Sequence, residues 1–70
     1  MNYYEVDVIL QKRTTSGPLG EKITKRFLEI ASSEEEASNQ ASIEAGGVDG
    51  YSPIGIANTR FLDEVREDNS

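Results

Sequence analysis

The amino-acid sequence predicts a small α+β domain of ββαβ order: a three-stranded sheet (order 2-1-3) with one helix packed on one face. Three features point there. Residues 3–11 alternate between two faces, residues 32–47 are punctuated as a helix, and a glycine- and proline-rich turn separates the first alternating run from a second.

The first strand is the cleanest element. In YYEVDVILQ, residues 3–11, Tyr4, Val6, Val8 and Leu10 share one face, while Tyr3, Glu5, Asp7, Ile9 and Gln11 share the other. A period of two rich in β-branched and aromatic residues is that of a half-buried strand. Tyr4 is therefore expected in the core, and Tyr3 on an open face beside Glu5 and Asp7. Residues 14–20, TTSGPLG, make the turn: Gly17 admits positive φ, Pro18 presets φ, and Gly20 adds a second permissive point. Residues 21–31 resume the extended pattern, with Ile23 and Phe27 on one face and Leu28 and Ile30 on the other. The slip of phase at Phe27 and Leu28 predicts a bulge, or a strand partly covered on both faces. Two strands joined by such a turn form a hairpin.

SSEEEASNQASIEAGG, residues 32–47, opens and closes as a helix. Ser33 with Glu36, or Ser32 with Glu35, fits a capping box, and Gly46 and Gly47 end the helix. Glu34, Glu35 and Glu36 complement the positive end of its dipole. Ala37, Ala41 and Ala45 form a narrow stripe of small residues, with Ile43 near the same side. That stripe lets the helix lie close on a sheet but buries little area, so the large core residues must come from the strands.

After an irregular connection that includes Tyr51, Ile54 and Ile56 begin a third strand. It is expected to run to about Leu62, although residues 59–65 also fit a helix capped by Thr59. A right-handed crossover sets this strand parallel to the second, on the far side of the first. The domain is expected to span residues 1–66, with residues 67–70 as a frayed tail.

Seventy residues bury only about 60% of the surface exposed by the unfolded chain, so the core is expected to be thin. The chain has neither cysteine nor histidine, which excludes disulfides, thiol nucleophiles and Ser-His or Cys-His pairs, and removes the usual zinc ligands. With thirteen acidic residues, carboxylate pairs arise by chance and imply no acid/base chemistry. No enzymatic activity, metal or cofactor is expected. GPLG, residues 17–20, spells the GxxG of KH domains but joins two strands where a KH loop joins helices. GGVDG follows a helix where a phosphate-binding loop would precede one, and Glu34, Glu35 and Glu36 lack the alternating oxygen ligands of a calcium loop. No apolar run approaches the roughly 20 residues that span a bilayer. MNYYEVDVIL has no basic n-region and is interrupted by Glu5 and Asp7, so it reads as a strand and not as a signal peptide. The expected setting is cytoplasmic.

Charge is distributed unevenly. The formal net charge is -6, yet five of the seven basic residues, Lys12, Arg13, Lys22, Lys25 and Arg26, flank the first turn. No lysine or arginine lies between Arg26 and Arg60, a window that holds Glu29, Glu34, Glu35, Glu36, Glu44 and Asp49. Cationic side chains at the end of a hairpin stay solvated and discourage edge-to-edge pairing, which suffices to explain them. Two functions fit this pattern. The favoured one is a protein-binding module that occupies a basic surface of its partner, using Tyr3, Glu5, Asp7, Glu34, Glu35, Glu36 and Tyr51. Small inhibitors of phages and mobile elements share that build. The alternative is nucleic-acid binding, with the five basic residues of the hairpin on phosphates. It ranks lower, because no aromatic residue lies between Lys12 and Arg26 to stack on a base. The chain is expected to be a monomer or a weak homodimer.

Overall fold

Strand β1 (Asn2–Lys12) is the centre of a three-stranded sheet in the order β2-β1-β3, flanked by β2 (Lys22–Ala31) and β3 (Tyr51–Glu64). Both neighbours run antiparallel to β1 and hence parallel to each other, and helix α1 (Glu34–Ala45) joins β2 to β3. The computed structural model describes residues 1–17 and 19–66; the turn role given to Pro18 and the tail at residues 67–70 lie outside the described residues. The α+β class and sheet order are those the sequence predicts.

The core forms where the alternating face of β1 meets the alanine stripe of α1. Tyr4, Val6, Val8 and Leu10 are buried against Ala31, Ala37, Ala41 and Ala45, with Ile23, Phe27, Val48 and Tyr51 packed at the margins. Val6, Val8 and Leu10 are the largest fully buried side chains. Each contributes about 1.5–3 kcal/mol by leaving water, so β1 supplies most of the hydrophobic stabilisation. Ile43 points away from the sheet and is exposed, against the expectation that it lies near the stripe. It falls on the far side of the helical turn from Ala41.

Both serines before α1 work as caps, each in a different way. Ser33 is the N-cap, and its Oγ accepts the Glu36 backbone N–H at 3.2 Å. The Glu36 carboxylate reaches back one residue further, accepting from the backbone N–H and the hydroxyl of Ser32. At the other end, Gly46 and Gly47 donate to the last turn's carbonyls.

β2 carries no bulge. Its register against β1 is continuous from Asn2↔Ala31 to Gln11↔Lys22, which corrects the irregularity expected at Phe27 and Leu28. Ile23, Lys25, Phe27, Glu29 and Ala31 lie on the helix side, while Lys22, Thr24, Arg26, Leu28 and Ile30 lie on the open side. The apparent slip arises because β2 places a carboxylate, Glu29, in the covered layer and two large apolar residues in the open one.

The irregularities are in β3 instead. Three shifts against β1 leave Ile54, Ala57 and Leu62 without a partner residue, so β3 is longer than the strand it pairs with. Each extra residue reverses the alternation. Pro53, Ile56, Thr59 and Phe61 consequently share the helix side although their spacing is not regular. β3 begins at Tyr51, earlier than the expected Ile54, and continues to Glu64, so residues 59–64 are strand and not helix.

Candidate protein-binding face

The side of the sheet opposite α1 is uncovered. On it β1 presents Tyr3, Glu5, Asp7, Ile9 and Gln11, between Lys22, Thr24, Arg26, Leu28 and Ile30 of β2 and Ser52, Asn58, Arg60 and Asp63 of β3. Cross-strand pairing decides which of these meet, because directly opposed residues hold their side chains on the same face.

An ion cluster occupies the middle of this face. Arg26 Nε lies 3.1 Å from both Glu5 Oε1 and Asp7 Oδ1. From the other side, Arg60 Nη2 donates to both oxygens of Glu5, at 3.2 and 3.3 Å. The hydrogen bond that Arg26 donates to Asp7, reinforced by the charge of Glu5 and Asp7, holds the Arg26 guanidinium above its ordinary pKa. The arginines lie over the carboxylates: the Glu5 and Asp7 side chains are 11% and 19% exposed, the two arginines 61%. Glu5 and Asp7 therefore present no free negative charge. Two cations balance two anions there.

Beside the cluster lies an apolar patch. Tyr3 is directly opposite Ile30, and Leu28 is opposite Glu5, one step along the same strand face. Leu28 is 70% exposed, Ile30 47% and Tyr3 42%. Three large side chains on one uncovered surface form a contiguous patch, which carries more information than scattered exposed leucines. Sequence reading placed Tyr3 here but left out Leu28, Ile30 and Arg60. The first two were visible in the alternation of β2; the third was hidden by the shifts in β3.

The same end of the molecule is acidic. β1 starts there, β2 and β3 finish there, and α1 begins there, bringing Glu34, Glu35, Asp63 and Glu64 to one end of a body 54 × 19 × 15 Å in extent. Glu36 belongs to this end as well but is engaged by Ser32 and by Gln40 Nε2. Tyr51 is at the opposite end, paired with Lys12 and half-buried at the margin of the core, so the fold does not bring it to the Tyr3 patch.

The five hairpin cations do not form one surface. Lys12, Arg13 and Lys22 cluster at the turn, where Arg13 N–H donates to the Gly50 carbonyl at 2.8 Å. Lys25 lies on the helix side with Nζ 6.0 Å from the Phe27 ring centroid, and Arg26 on the open side is held by Asp7 and Glu5. The turn is compact: Thr14 and Gly17 exchange backbone hydrogen bonds of 2.6 and 3.0 Å, and Gly17 adopts φ +112°. Gly20 serves through close approach, since a Cβ there would stand 2.9 Å from the Lys12 backbone carbonyl oxygen.

One buried carboxylate lies on the helix side of the sheet. Glu29 is 6% exposed, and its Oε2 has no hydrogen-bond partner among the described residues. Burial, and then the hydrogen bond and charge of Glu44, push its pKa up to about 7. No group of three or more metal-ligating side chains and no enclosed pocket occurs among the described residues, and no helix is long and apolar enough to cross a membrane. No protein-family model, curated protein or solved structure matches the chain.

Proposed function

We propose that this chain is a small non-enzymatic protein-binding module that acts by occupying a partner's surface, in the manner of an inhibitor. Its contact is the open face of the sheet at the Tyr3 end. The observation that carries this reading is the Tyr3–Leu28–Ile30 patch, which borders a cluster of two arginines and two carboxylates. Aromatic and arginine side chains dominate the centres of protein interfaces, with polar rims around them. Asp63 borders the patch on the open face, and Glu34, Glu35 and Glu64 add negative charge at the same end on the helix side, which suits a partner with basic residues around an apolar depression. Glu5 and Asp7, already neutralised, act by positioning Arg26 and Arg60 and not by attracting the partner.

Capture from an extract of the source organism, with variants compared side by side, tests the proposal. Tyr3→Ala combined with Leu28→Lys should abolish capture of a partner that the unaltered protein retains. Lys12→Gln with Arg13→Gln and Lys22→Gln should leave it intact. The opposite pattern, or retention of nucleic acid at low salt that is lost in the hairpin variant, would establish the hairpin as the binding element.

A further inference from the structure

The two flanks of the sheet differ in a way that the binding face does not use. On the β2 flank stand Lys22, Lys25 and Arg26, and on its helix side Glu44 of α1 lies beside Glu29. Charged residues on an edge strand keep it from pairing with another chain. The β3 flank carries no such guard over most of its length: no charged residue occurs between Asp49 and Arg60. Ile54, Ile56, Phe61 and Leu62 are all exposed along it. Above the middle of the strand, α1 turns small hydroxyl residues to this side, with Glu34 one helical turn before Ser38, toward the charged end of β3. Ser38 Oγ meets Thr59 Oγ1 at 2.8 Å, and Ser42 lies one helical turn further on. Among the described residues β3 is hydrogen-bonded to β1 on one side only, and its outer edge has no partner strand.

We infer that two copies of this chain associate along β3, antiparallel and about a twofold axis, extending the sheet and placing Ile54, Ile56, Phe61 and Leu62 of both copies in one seam. A second copy is the occupant for three reasons. An antiparallel pairing of identical edges is self-complementary under a twofold. When the two strands overlap along their whole length, Arg60, Asp63 and Glu64 of one copy lie beside residues 51–56 of the other, which carry no charge. The equivalent β2 pairing would instead bring Lys25 and Arg26 of both copies together at its middle. Finally, the area is adequate for a weak dimer. A strand of 14 residues is roughly 46 Å long. A strip about 10 Å deep along it covers roughly 450 Å² per copy, near the ~1,000 Å² in total at which specific interfaces begin. Pro53 and the unpaired Ile54, Ala57 and Leu62 interrupt the ladder, leaving residues 58–61 as regular backbone, so side chains supply most of the contact.

Sedimentation equilibrium up to high micromolar concentration, with amide hydrogen exchange measured at both ends of that range, tests this. The unaltered chain should form a dimer, and protection should rise with concentration in residues 51–64 and stay constant in residues 22–31. Ile56→Lys with Leu62→Lys should weaken the dimer by roughly a hundredfold, as for residues central to an interface, while Leu28→Lys leaves it unchanged. A monomer at every concentration would overturn the inference. So would a dimer that gains protection in β2 or dissociates on Leu28→Lys. Exchange on the unaltered chain decides the matter even where the double variant does not fold.

Discussion

Arg60 and Glu5, 55 residues apart in sequence, are joined by two hydrogen bonds from a single Nη2 to both carboxylate oxygens. With Arg26 on the other side, this makes the centre of the open face an ion network with no net charge. Replacing Glu5 by Gln leaves two arginines over an amide. The variant should melt a few degrees lower, and the difference should shrink at high salt, because the arginines are exposed and their attraction is screened. Thermal melts of both proteins at low and high salt measure it.

Val8 tests the core. It is fully buried on the central strand under the alanine stripe. Val8→Asp places an unpaired charge there and should unfold the domain. Circular dichroism of the purified variant should show loss of the native spectrum.

Ala41 tests how tightly α1 sits on β1. It is fully buried in the middle of the stripe, between Ala37 and Ala45. Ala41→Leu forces the helix away from the sheet and should cost about 1–3 kcal/mol. Urea denaturation should show a lower midpoint with an unchanged slope.

Glu29 gives the fold a pH dependence. Its pKa is about 7 when folded, against the ordinary 4.5 when unfolded. Below 4.5 both states hold the proton and no stability is lost. As pH rises from there to about 7, the unfolded chain releases the proton first, so stability falls and then levels. Glu29→Gln removes this loss. It should raise stability by about 3 kcal/mol at pH 8 and change little at pH 4. Denaturant titrations at the two pH values check the sign.

What the sequence made legible follows from how local each signal is. The alternation of β1, the Ser33 cap and the glycine stops of α1 involve neighbours in the chain, and they were read correctly. Glu29 was not, because a glutamate in a strand is ordinarily solvated, and its burial depends on α1 covering that position. The pairing of Arg60 with Glu5 depends on β3 register, and the extra residues Ala57 and Leu62 on either side of Arg60 defeat any count from sequence. The apparent acidity of the open face failed for the same reason. Glu5 and Asp7 were placed on the right surface, but the cations that neutralise them come from two other strands.

Whether a protein partner contacts the Tyr3 end of the open face is read from amide chemical-shift mapping of the labelled chain on addition of the captured partner. The largest changes should fall on Tyr3, Glu5, Leu28, Ile30 and Arg60, with little change at Lys12, Arg13 and Lys22. Changes confined to the hairpin turn, with Tyr3, Leu28 and Ile30 unmoved, would move the contact off the open face and rule it out as the binding surface.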